Sequence, residues 1–183
     1  FGKVYKNISH LLEYKVPVIE DYAYSFSSLV TCQENPVGDY LIYSLPKYFP
    51  VQFGGMLLSK GGKTVPNPNP CAYSQNMFTH YFGQTTEIFN SRRQVYQMMV
   101  DILGNLGMPP YFDYSENECP GVYMFKIDKS RYDLSKLKLD LHARGLECSV
   151  FYGESGFFIP CHQRLSEPDV IYFASCIKAS VSS

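Results

Sequence analysis

No run of apolar residues in this 183-residue chain approaches the roughly 20 needed to cross a bilayer as a helix, so no membrane span is expected. An excess of charge of one sign is missing too. Sixteen Lys and Arg stand against seventeen Asp and Glu, a formal net charge of -1. Neither nucleic acid nor an anionic membrane surface is therefore an expected partner. The six cysteines, at 32, 71, 119, 148, 161 and 176, form no C-x-x-C and no Cys/His grouping at metal-ligand spacing. No metal site is expected from them; they read as reduced core thiols of an intracellular, cytoplasmic protein. The opening Phe1-Gly2-Lys3-Val4 has no Met and no basic region followed by an apolar core. A secretory leader is not expected, and a fragment, or a chain whose beginning is missing, is. What the chain does have is material for a core. At 45% hydrophobic, 16% aromatic and 18% charged residues it is not a candidate for disorder.

The most informative stretch runs from Asp39 to Leu58. It predicts a short buried strand over 40–44, a bend rich in Pro and aromatics that holds Lys47, and a Gly54-Gly55 step into a second strand over 53–59. Upstream, Val16 to Asp21 predicts a short, β-branched, buried parallel strand ending in two carboxylates, Glu20 and Asp21. In open α/β sheets ligands gather at the carboxyl ends of strands, which places Asp21 where chemistry sits. The alternative for Asp21 is a solvated loop carboxylate. For Lys47 the alternative is a surface charge, but Leu45, Pro46, Tyr48, Phe49, Pro50, Val51 and Phe53 make an apolar wall around it in sequence. A lysine within such a wall is expected to lose charge and become a nucleophile near neutral pH. A lysine between two buried strands, with an aspartate closing a third, is what a pyridoxal phosphate (PLP) enzyme needs. The lysine supplies the Schiff base and the aspartate a counter-charge for the pyridinium nitrogen.

The rest of the chain supplies the frame. Ile8, Leu11 and Leu12 predict a helix face over 7–15. Lys60-Gly61-Gly62-Lys63-Thr64 has a passing likeness to a phosphate loop but lacks its glycine spacing. Asn67-Pro68-Asn69-Pro70 predicts a loop. From Glu87 to Leu103 the residues Ile88, Phe89, Val95, Tyr96, Met99, Ile102 and Leu103 keep to one helical face. Arg92 and Arg93 read as the wet side of that helix, or as groups reaching for a phosphate. Val122 to Ile127 alternates as a strand. Leu134, Leu137 and Leu141 mark a helix closed by Gly145, and Leu146 to Phe151 a further strand. Ser166 with Asp169 resembles a capping box ahead of a last helix carrying Val170, Phe173, Ile177 and Val181.

Val18-Ile19-Glu20-Asp21-Tyr22-Ala23-Tyr24-Ser25, Tyr43-Ser44-Leu45-Pro46-Lys47 and Gly54-Gly55 together resemble the signatures of the DegT/DnrJ/EryC/StrS-type sugar aminotransferases, fold-type I PLP enzymes that act on nucleotide-linked keto sugars. The resemblance implies an α/β fold: the second half of a large domain with a mostly parallel sheet over 1–86, then a small α+β C-terminal domain with its linking helix over 87–183. It implies that Lys47 forms the Schiff base, that Asp21 pairs with the pyridinium nitrogen and that Ser44 holds the phosphate. Tyr24 stands where the family more often has His or Gln beside the ring hydroxyl of the cofactor. Phe158 to Leu165 resembles the substrate-side segment, with His162 as the substrate-binding residue; its alternative is a histidine satisfied by backbone in a turn. The implied partners are an amino-acid donor such as glutamate, a keto sugar and a second copy in a homodimer. The family's enzymes are longer, and their first half carries the phosphate-binding helix N-terminus and the aromatic that stacks on the ring. The competing expectation is a truncated or degenerate homologue that serves only as a structural or dimerisation module.

Overall fold

The computed structural model describes residues 1–4, 7–31, 36–61 and 71–181. Cys32, the Gly62 to Thr64 part of the glycine-rich segment and the Asn67 to Pro70 break lie outside the described residues. The chain is a mixed α/β protein that divides into two compact units. One comprises 1–89 and 114–119, the other 90–113 and 120–183.

The first unit carries a three-stranded sheet in the order β1 (Ile19–Asp21), β2 (Tyr40–Ser44), β3 (Gly55–Ser59). β1 runs parallel to β2, pairing Ile19 with Tyr40 and Asp21 with Ile42. β3 returns antiparallel, with Leu57 opposite Ile42 and Gly55 opposite Ser44. Because side chains alternate along a strand, this register sorts the sheet into two faces. Glu20, Leu41, Tyr43, Met56 and Leu58 share one face, which packs inward. Ile19, Ile42 and Leu57 share the other and are 60%, 41% and 45% exposed. The expectation of a strand buried throughout 16–21 therefore fails: only Val18 and Glu20 are buried, and Val16 joins Ile19 outside. The inner face rests on an aromatic cluster. Phe26 is fully buried, with ring centroids 4.8 Å from Phe49, 5.1 Å from Tyr48 and 5.7 Å from Tyr43. Aromatic pairs at such separations add to the stabilisation from area burial alone. Glu20 is the charged member of this face, and a buried carboxylate needs donors. It accepts from the Tyr22 hydroxyl at 2.6 Å and from the Gly38 amide.

Two further differences concern helices. The segment 7–15 forms a 3-10 helix, Ser9–Tyr14, with no buried residue, so Ile8, Leu11 and Leu12 do not make a core face. After the short α1 (Ser27–Thr31), a helix not expected from the sequence, α2 (Ala72–Phe82), precedes α3 (Thr85–Gly104). The segment 114–119 is tied to the first residues by Glu118. Its carboxylate accepts from Lys3 Nζ at 2.8 Å and from the amides of Val4 and Ser115.

The second unit is built on an antiparallel sheet in the order β4 (Val122–Lys126), β6 (Gly156–Pro160), β5 (Ser149–Phe151). The residues of α3 from Asn90 onward belong to it, with α4 (Leu134–Ala143) and α5 (Glu167–Val181). Val95, Met99 and Leu103 of α3, Leu134, Leu137 and Leu141 of α4, and Val170, Ala174 and Ile177 of α5 form one core with Tyr123, Phe125, Phe157 and Ile159. β4 departs from the expected alternation, since Val122 to Phe125 are all buried; both of its faces are covered. The helix ends follow local chemistry. Asp133 caps α4 by accepting from the amides of Ser135 and Lys136, and Asp169 accepts from the Ser166 amide at 2.8 Å ahead of α5. Among the described residues no helix is long and apolar enough to cross a membrane.

Candidate functional site

Parallel pairing brings the carboxyl ends of β1 and β2 to the same edge of the sheet. Asp21 is the last residue of β1 and Ser44 the last of β2. Asp21 turns the chain after β1, its Oδ1 accepting from the Ala23 amide at 2.8 Å. That turn delivers Tyr24. After Ser44 the chain makes a helical turn, with the amides of Tyr48 and Phe49 donating to the Leu45 carbonyl at 3.1 and 2.8 Å. Such a turn puts residues 45, 48 and 49 on one side and 46 and 47 on the other. Leu45, Tyr48, Phe49 and Val51 point into the core, while Pro46, Lys47, Pro50 and Phe53 are exposed. The apolar wall is real, but Lys47 stands outside it. The expectation of a lysine desolvated by its neighbours is corrected accordingly.

Lys47 lies over Tyr24 instead, with Nζ 3.8 Å from the centroid of the ring. The Phe1 ring meets the same tyrosine at 5.3 Å. Asp21 and Tyr24 both belong to the turn that follows β1, and Lys47 reaches that turn by way of the Tyr24 ring. Ser44 joins them through the backbone, as the end of the strand that leads into the Lys47 turn. Tyr24 presents the face of its ring here, where the resemblance implied a phenol directed at a cofactor hydroxyl.

Gly54 closes the bend from the far side. It has φ 126° and accepts from the Leu45 amide at 3.1 Å. A Cβ at this position would meet Ser74 Oγ at 2.6 Å, so only glycine allows α2 and the bend to approach this closely. A primary amine, a carboxylate at a strand end and a strand-end hydroxyl are the donor set that PLP requires, and the residues present fit that cofactor.

His162 belongs to the other unit, in the loop that follows β6. It is half-buried, and its Nδ1 accepts from the Arg164 amide at 3.3 Å, which leaves the proton of the neutral ring on Nε2. Burial, then the charges of Arg92 and Arg164, hold its pKa below the ordinary 6.5, against the opposing charges of Asp169 and Glu147. Arg92 is not on the wet side of its helix: it is 5% exposed. Its Nε donates to Gln163 Oε1 at 2.9 Å, and the Cys161 thiol donates to its carbonyl at 3.7 Å. The sequence hid this because an arginine on an amphipathic helix normally faces water.

No protein-family model matches the chain, and no curated protein matches it. Solved structures do. A DegT DnrJ EryC1 StrS aminotransferase from Brucella abortus is 14% identical, with a TM-score of 0.64 over 99% of this chain and 62% of its own. PseC from Helicobacter pylori, an aminotransferase involved in the biosynthesis of pseudoaminic acid, is 12% identical, with a TM-score of 0.69 over 99% of this chain and 64% of its own. DesI, solved in the presence of its TDP-sugar product, is 11% identical, with a TM-score of 0.66 over 94% of this chain and 57% of its own. The chain resembles the DegT/DnrJ/EryC1/StrS aminotransferases in fold, and it spans less than two thirds of the length of these structures.

Proposed function

We propose that the chain is part of a PLP-dependent aminotransferase of nucleotide-sugar type, which moves an amino group from an amino acid such as glutamate to a keto sugar. The observation that carries this reading is that Asp21 and Ser44 close two paired parallel strands, and that Lys47 lies over Tyr24 in the turns that follow them. The likeness in fold to PseC and DesI supports the sugar class of substrate. In this reading 1–86 is the second half of a fold-type I large domain and 87–183 its small C-terminal domain, working as a homodimer in the cytoplasm.

When bound, PLP supplies an electron sink for the carbon that exchanges the amino group. The chain's own residues do the rest. Asp21 would offer a carboxylate to the protonated ring nitrogen. Ser44 would donate its hydroxyl to the phosphate. Lys47 would hold the aldehyde group through Nζ and would carry a proton on that same nitrogen. Tyr24 lies along the ring side of Lys47. His162 donates from Nε2 to an oxygen of the substrate.

The test is reductive trapping. The chain is incubated with PLP, reduced with borohydride and mapped by mass spectrometry. The label is expected on Lys47, and Lys47→Ala is expected to remove it. Label on Lys60 or Lys63 in place of Lys47 overturns the assignment. A second reading, a non-catalytic homologue that keeps the packing and a dimer contact, is favoured by the exposure of Lys47. It predicts no selective label at all.

A further inference from the structure

Lys47 has two environments to choose between: the apolar wall of its own turn, which it leaves, and the ring of Tyr24, which it covers at 3.8 Å. A cation over an aromatic face is attracted by the ring quadrupole, and the attraction belongs to the ammonium, not to the neutral amine. Tyr24 is itself braced, since the Phe1 ring packs against it at 5.3 Å.

We propose that Tyr24 is a positioning residue that docks Lys47 as an ammonium, and that Lys47 must leave the Tyr24 ring before its amine attacks a carbonyl. The ring face, and not the phenol hydroxyl, does the docking. Tyr24 therefore sets how much of Lys47 is available to an aldehyde. This rests on the reading of Lys47 as the carbonyl-reactive amine but goes beyond it, because the site then contains its own competitor for that amine. A residue with no aromatic face at position 24 removes this contact from the lysine.

The experiment labels the 183-residue chain with formaldehyde and cyanoborohydride for a short, fixed time, and compares Lys47 with exposed Lys129 of the other unit. Tyr24→Leu is expected to raise the Lys47-to-Lys129 ratio about two- to fivefold, the range that a cation–π contact at an exposed site supports. Tyr24→Phe, which keeps the ring face, is expected to stay at the level of the unmodified chain. No rise in Tyr24→Leu overturns the proposal. A rise in Tyr24→Phe equal to that in Tyr24→Leu also overturns it, because the hydroxyl would then be the docking group. A measurement without substitution guards against misfolded variants: the Lys47 ε-methylene protons are expected upfield of those of Lys129 from the ring current of Tyr24, and coincident shifts overturn the proposal. Repeating the labelling with PLP and borohydride separates the two readings. A rise at Lys47 with both aldehydes supports both. A rise with formaldehyde and no PLP label leaves the docking role standing and overturns the cofactor assignment.

Discussion

Both units are organised by a three-stranded sheet, yet they treat it in opposite ways. In the second unit four consecutive residues of β4 are buried, and helices α3, α4 and α5 contribute to a single core with its sheet. In the first unit burial alternates along β2, and the face that carries Ile19, Ile42 and Leu57 is exposed together with Asp21. Parallel strand pairs are ordinarily covered on both faces. The contrast separates two jobs. The second unit spends its residues on packing, whereas the first leaves Asp21 exposed at a strand end and Lys47 exposed in the turn after another.

The contrast can be broken by truncating one side chain in each unit. Phe157 is fully buried in the second unit, and Phe157→Ala is expected to cost about 3–5 kcal/mol in a denaturant melt. Leu57→Ser on the open face of the first unit is expected to change stability by no more than about 0.5 kcal/mol. Similar losses from the two would mean that the open face of the first unit is covered in solution.

A smaller effect tests what fastens the first unit. Burial raises the Glu118 pKa, but the bonds from Lys3, Ser115 and Val4 outweigh it and hold the carboxyl below its ordinary 4.5. A folded-state pKa below the unfolded value stabilises in full above about 4.5, and the contribution fades as pH falls through the lowered value. Glu118→Gln is expected to cost about 1–3 kcal/mol at neutral pH and to flatten the acid limb of a melt-versus-pH curve. An unchanged acid limb would show that this carboxylate is not the fastening.

How much of this was legible in advance depended on whether a residue type announces its surroundings. Asp21 and Ser44 each close a run of strand-forming residues, so their places at strand ends could be read directly. So could α4 and α5, whose apolar and capping residues follow one period. The helix α2 was not read. Met77, Phe78 and Tyr81 stand at helical spacing, but none of its residues is buried and these three touch the core only partly, so its signal was weak beside the Asn-Pro break before it. Lys47 was misplaced because proximity in sequence to Tyr48 and Phe49 was taken for proximity in space. One helical turn sends the lysine outward and the aromatics inward. β6 was hidden by its own sequence, since Phe157, Phe158 and Ile159 read equally as part of a substrate loop. Its strand character comes from pairing with both β4 and β5.

The smallest expected effect concerns His162. Burial and the neighbouring arginines lower its pKa from 6.5, so the folded state favours the neutral ring. The unfolded chain then binds the proton more readily. Stability of the second unit is complete above about pH 6.5 and declines as pH falls toward the lowered value. The opening equilibrium of the β4 and β6 amides, taken from exchange rates divided by the intrinsic rate at each pH, is expected to rise from neutral to mildly acidic pH, and His162→Gln is expected to weaken that dependence. Equal pH dependence in the variant would remove His162 as the cause.

Gly38 has a consequence for how this sequence can drift. A Cβ there would meet Glu20 Cγ at 2.9 Å, Glu20 Oε1 at 3.0 Å and the Val18 carbonyl at 3.1 Å. A side chain at 38 and the glutamate at 20 therefore compete for one space. A descendant that gains a side chain at 38 must first shorten or redirect the residue at 20, and in doing so gives up the acceptor that the Tyr22 hydroxyl uses. Tyr22 stands between Asp21 and Tyr24 in the chain, so a neutral-looking change at position 38 reaches the turn after β1 by way of one buried carboxylate. Among related sequences, variation at 38 should arrive only together with variation at 20 and 22.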